Sequence, residues 1–181
     1  MTNEELHHLR FPIGEFSIPK FISPNMQMEC ISDIESFPER LKNEVIYLTD
    51  EQLDTSYRLN GWTIRQVVHH CADSHMNALI RFKLALTEEK PTIKPYGEHL
   101  WAELIDTKHM PIKPSLNILE GVHERLTILL RSLHDEDLNK SYIHPEYNKE
   151  FKLIEAIALY GWHCNHHLAH ITNLKERMGW D

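Results

Sequence analysis

Residues 153–178 read LIEAIALYGWHCNHHLAHITNLKERM, and Gly179 follows. Leu153, Ile157, Tyr160, Cys164, Ile171 and Leu174 recur at three- and four-residue spacing, the pattern of a helix with one face in a core. The glycine at the end suits a left-handed C-cap. The segment therefore predicts one long amphipathic helix. His167 falls in the apolar line and His163 borders it, whereas His166 and His170 are rotated toward the flank. Residues four apart share a helix face, so an i,i+4 pair can offer two imidazoles to one metal ion. A lone histidine on an apolar face is usually a hydrogen-bonded core residue. Two inward imidazoles side by side are harder to bury, because each needs a partner, and a shared metal satisfies both. The inward pair, His163 and His167, is the candidate metal pair.

A second long helix has the clearest start. Thr63-Ile-Arg-Gln66 after Gly61-Trp62 is a capping box, with Thr63 as N-cap, and the helix should run to about Thr87. It carries His69, His70 and His75. Periodicity alone does not choose between His69 and His70 as a third ligand. His75 lies along Val68 and Cys71 and reads as a core histidine. Asp73, one turn beyond His70, is a candidate general base or a partner of a ligand, with a surface carboxylate as the plain alternative. Cys71 and Cys164 neighbour the ligand positions but are turned about 100° from them, which makes them small apolar core residues.

Two further long helices complete the set. One opens at Ser23 as N-cap with Pro24 behind it, uses Ile31, Ile34, Leu41, Val45 and Leu48, and should kink or break at Pro38. The other spans roughly 115–133 with Leu119, Val122, Leu126 and Leu130 at helical spacing. Thr49-Asp-Glu-Gln52 has capping-box spacing and predicts a single short turn. Residues 88–114, with Pro91, Pro95, Pro111 and Pro114, form a long crossover with a turn of helix around 98–104. A small hairpin fits 139–152. Residues 1–22, with Pro12, Gly14 and Pro19 among aromatics, read as an extended arm packed over the domain. The fold class is all-α: one domain over 1–181, a four-helix bundle with an extended N-terminal arm and a crossover too long for simple up-down-up-down order.

The 181 residues suit one domain with a sizeable core. Acidic residues (27) outnumber Lys and Arg (19) with no basic cluster, which argues against nucleic acid as a partner. No apolar run approaches the ~20 residues that span a bilayer, and the N-terminus lacks a signal-peptide pattern, so a cytoplasmic protein without membrane contact is expected. Three cysteines without a C-x-x-C pair indicate neither a disulfide framework nor a zinc ribbon. Fourteen histidines is the compositional outlier, and it directs attention to metal chemistry.

The stretches GWTIRQVVHHCADSHMNALIRFKLALTEEKPTIKPY at 61–96 and YGWHCNHHLAHIT at 160–172, with RFPIGEF at 10–16, resemble the DinB/YfiT-like family over essentially the whole chain. In that family one metal histidine follows the helix-opening Trp by eight positions, which from Trp62 selects His70. The other two form an H-x-x-x-H pair on the last helix, matching His163 and His167; His170 stands where many members carry Gln. The resemblance implies a four-helix bundle, one Zn²⁺ or Ni²⁺ held by His70, His163 and His167, and a homodimer acting on a small molecule. It implies either a metal-dependent hydrolase, with water in an open fourth position, or a thiol S-transferase using bacillithiol. A closed site completed by His166 or Cys164 would instead mark a non-catalytic metal-binding protein.

Overall fold

A computed structural model describes residues 2–180. Its elements run α1 (Asn3–Arg10), α2 (Pro24–Val45), α3 (Asp50–Leu53), α4 (Ile64–Thr87), α5 (Glu98–Trp101), α6 (Ile105–His109), α7 (Lys113–Arg131), α8 (Asp135–Leu138), β1 (Ser141–His144), β2 (Lys149–Lys152) and α9 (Leu153–Met178). The long helices α2, α4, α7 and α9 form the bundle. Helix α2 packs on α9 and α7, and α4 packs on α7 and α9. Chain neighbours α2 and α4 therefore lie across a diagonal, as do α7 and α9, which is not the order of an up-down-up-down bundle. One continuous core contains Ile34 and Phe37 from α2, Val67 and Phe82 from α4, Leu119 and Leu126 from α7, and Ile157 and Cys164 from α9.

The start of α4 is fixed from three sides. Gln66 N–H donates to Thr63 Oγ1 at 3.2 Å and Thr63 N–H donates to Gln66 Oε1 at 2.9 Å, closing the capping box. The same Gln66 amide donates to the Ala102 carbonyl at 2.8 Å. The buried Arg65 guanidinium donates to Asp54 at 2.6 Å, to Asp50 at 2.7 Å and to the Met110 carbonyl at 3.1 Å. These bonds pin α3 and the crossover to the first turn of α4, one turn before His69 and His70. Helix α9 ends as the sequence indicates, with Gly179 left-handed at φ 66°. The hairpin over 141–152 and the short turn α3 are likewise present.

Three features differ from the sequence reading. Within the N-terminal stretch read as an extended arm, Asn3–Arg10 is helical. Its signal is a capping box at the chain start: Thr2 N–H donates to Glu5 at 2.7 Å and Glu5 N–H donates to Thr2 Oγ1 at 3.1 Å. Glu4 and Glu5 at the positive end, with His7, His8 and Arg10 at the other, suit the helix dipole. Beyond it the chain is irregular up to α2, and its packing rests on Phe11, Phe16 and Ile18, while Phe21 is 78% exposed. Helix α2 runs unbroken through Pro38. The ring supplies no N–H for the Ile34 carbonyl four residues back, and that carbonyl finds another donor, described below. Helix α7 starts at Lys113 rather than Ser115, because Pro114 is accommodated in a first turn that needs no N–H.

Helices α2 and α9 approach closely at Gly161. A Cβ there would lie 2.9 Å from Cys30 Cβ and 3.0 Å from Cys30 Cα, a backbone atom that cannot swing aside. Gly161→Ala is therefore expected to destabilise the protein by about 1–3 kcal/mol despite the better helix propensity of alanine. Urea unfolding checks this; a midpoint equal to or above wild type would show that the helices can separate at no cost.

Candidate metal centre

His70 from α4 and His163 and His167 from α9 converge. Ring centroids lie 4.8 Å apart for His70 and His167, 5.4 Å for His70 and His163, and 4.4 Å for His163 and His167. One ring nitrogen from each comes within 4.8 Å of the others, a spacing that can close around a single ion. His70 and His167 are buried and His163 is partly so. Trp62, the residue that opens α4, packs on the His70 ring at 4.7 Å. Burial and the neighbouring imidazoles push all three rings toward the neutral, ligating form: His70 to about 4, His163 and His167 well below the usual value. His167 Nδ1 is buried without a hydrogen-bond partner. Three neutral, converging imidazoles and an unpaired buried nitrogen fit a divalent transition-metal ion.

The geometry separates His70 from His69, which periodicity left open. His69 Nε2–H donates to the Met110 carbonyl at 3.2 Å, and its Nδ1 accepts from the Ser115 hydroxyl at 2.7 Å. Both nitrogens are committed to the α6–α7 link, and the ring serves packing. Asp73 lies outside the three-histidine cluster. Burial, then the charge of Asp106, raises its carboxyl to about 6. The thiols of Cys71 and Cys164 are buried and pushed upward by desolvation, so both side chains behave as small core residues.

His166 and His170, read as turned to the flank, are nonetheless buried. The flank is roofed. His166 stacks on Trp162 at 4.3 Å with Phe11 at 6.1 Å, and His170 stacks on Tyr57 at 3.9 Å. His170 Nε2–H donates to the Arg10 carbonyl at 3.1 Å. With His167 they form a second set of three that could hold an ion, and His75, His123 and Cys164 form a third. In the second set Nδ1 of all three rings is buried without a hydrogen-bond partner, with His170 Nε2–H given to Arg10, so it remains open to an ion; in the third the two imidazoles are bonded to each other at 2.7 Å. His123 on α7 received no notice from sequence. It stands alone in an apolar stripe, where a histidine carries no spacing signal.

A cleft of about 780 Å³ opens elsewhere, between α2 and α7, lined among others by Glu35, Lys42, Glu120, His123 and Arg131. None of the three converging histidines lines it.

Comparison with known proteins finds relatives named for metal dependence. Relatives from Bacillus cereus strain 03BB102 and from Bacillus thuringiensis subsp. konkukian are each 53% identical over 175 residues, covering 97% of this chain and 100% of theirs. Both carry the name "putative metal-dependent hydrolase". The solved structure of YfiT from Bacillus subtilis matches with a TM-score of 0.93 at 49% identity, over 96% of this chain and 99% of that one. It is described as "a probable metal-dependent hydrolase with an unusual four-helix bundle topology". The family model of the DinB superfamily matches residues 34–171. A four-helix bundle in diagonal order, histidine clusters able to hold a metal, and these likenesses across nearly the whole chain lead to one conclusion: the chain belongs to the DinB superfamily.

Proposed function

We propose that this protein is a metal-dependent hydrolase of a small molecule, with Zn²⁺, or Ni²⁺ in its place, held by His70, His163 and His167. The observation that carries the reading is the convergence of three neutral imidazoles, with no carboxylate among them, within 4.8 Å. An ion held by uncharged ligands keeps its full +2 charge and would acidify a water in an open fourth position toward a pKa of ~7. The chain's own part is to hold the three rings neutral and oriented, and to supply a base. Asp73 is the candidate base, raised to about 6 and one turn from His70. A homodimer is proposed from family resemblance alone, and gel filtration with light scattering tests it.

Thiol S-transfer is the competing chemistry of the same centre. The buried Cys71 and Cys164 do not supply a thiolate, so a low-molecular-weight thiol such as bacillithiol would have to enter. The experiment compares zinc-loaded wild type with His163→Ala on activated esters and amides in water, and on a halogenated bimane with and without thiols. Hydrolysis in water alone, lost in the variant, is the expected result. Wild-type acceleration of the bimane reaction that requires a thiol, with no ester or amide cleavage, would overturn hydrolysis in favour of transfer. A rate equal in wild type and variant for every substrate would leave a metal-binding protein without this catalysis.

A further inference from the structure

Behind the centre a chain of buried imidazoles runs away from His163. His163 Nδ1 lies 2.9 Å from His75 Nε2. His75 Nδ1 lies 2.7 Å from His123 Nε2, and His123 Nδ1 lies 2.5 Å from the Ile34 carbonyl. The three rings come from α9, α4 and α7, and the carbonyl from α2, so every bundle helix contributes one link. Phe37 from α2, fully buried, packs on His75 at 5.4 Å and on His123 at 5.5 Å, which limits rotation of both.

The far end of this chain has one possible direction. A carbonyl only accepts, so His123 Nδ1 must be the protonated nitrogen. The Ile34 carbonyl is available because Pro38, four residues on, has no N–H to give it. A neutral His123 then presents Nε2 as an acceptor, so His75 donates from Nδ1. That leaves His75 Nε2 to accept, so His163 donates from Nδ1. His163 is left with a bare lone pair on Nε2. Burial keeps the rings neutral, since His75 and His123 are only 1% and 2% exposed. A ligating histidine commonly donates its second N–H to a carboxylate or carbonyl, which fixes the tautomer. Here two further imidazoles carry that instruction from a carbonyl freed by proline.

We propose that Pro38, the Ile34 carbonyl, His123 and His75 form a positioning relay that holds His163 as the Nδ1–H tautomer with Nε2 presented for metal. The relay rests on His163 being a ligand. His75 and His123 touch no ligand other than through this chain, and their role is to set ring orientation and tautomer.

The test begins on the metal-free protein labelled with ¹⁵N-histidine, where two-bond ¹H–¹⁵N correlation reads each tautomer directly. His123, His75 and His163 are all expected as Nδ1–H, the minor form of a free neutral imidazole. Co²⁺ affinity is then measured for wild type, His123→Leu and His123→Gln, with circular dichroism confirming the fold. Leucine severs the relay and should weaken Co²⁺ binding about 10–100-fold. Glutamine can donate to Ile34 and accept from His75, and should recover most of that loss. A merely structural His123 would lower stability in both variants without this split. An Nε2–H tautomer at any of the three rings, or wild-type affinity in His123→Leu, overturns the relay while the metal reading stands. Wild type that binds no Co²⁺ overturns the metal reading and the relay's purpose together. A second bound Co²⁺ with a thiolate absorption band would give His75, His123 and Cys164 to an ion of their own and also overturn it.

Discussion

Replacing His70, His163 or His167 with alanine is expected to abolish stoichiometric metal binding, while His69→Ala, His166→Ala and His170→Ala retain it. Protein zinc sites bind with ~10–16 kcal/mol, so one ligand of four accounts for roughly 3 kcal/mol, on the order of a hundred-fold in affinity or more. The adjacent pair His69 and His70 makes the sharpest contrast. They are consecutive on α4 and both buried, yet His69 has both ring nitrogens bonded to Ser115 and Met110 while His70 faces the α9 pair. Elemental analysis after dialysis against a weak chelator reads the outcome. Equal loss from His166→Ala and His167→Ala would mean that the ion sits in the roofed set beneath Tyr57 and Trp162 instead.

Acid should unfold the metal-free protein within a narrow window. His70, His75, His123, His163, His166, His167 and His170 all have depressed folded-state values, with desolvation the first cause in each. As pH falls below ~6.5 the unfolded chain binds protons at these positions and the folded chain does not, so stability is lost with falling pH. The loss continues until the folded values are reached, about 4 for His70 and His123. A displacement of that size is worth roughly 3 kcal/mol for one buried ring, and a domain has only about 5–15 kcal/mol in all. Cooperative unfolding is therefore expected between pH 6 and 4, seen as a collapsing urea midpoint. A midpoint unchanged from pH 7 to 5 would show that these rings are already protonated or hydrated in the native state.

The long helices were legible because their signals are local. Thr63–Gln66 and Gly179 mark helix ends by backbone chemistry, and the stripe through Ile157, Cys164 and Ile171 orients α9 without knowledge of the rest. The diagonal order of the bundle was legible only as a long crossover, since helix adjacency depends on which faces meet. His69 and His70 could not be separated by period, because the choice is made by Ser115 and Met110, more than forty residues away. Helix α1 was hidden by the weight given to Pro12, Gly14 and Pro19, although its capping box was in view. Pro38 was read as a kink or break, yet α2 runs through it from Pro24 to Val45. Its carbonyl partner is repaired from α7 by His123, a tertiary bond with no sequence signal.

X-ray absorption at the zinc edge of the loaded wild-type protein measures the centre most directly. Three imidazole nitrogens near ~2.0–2.1 Å with one or two oxygen ligands, and no sulfur, are the expected shell. A Zn–S distance near ~2.3 Å, or four imidazoles with no oxygen, would contradict an open site built on His70, His163 and His167.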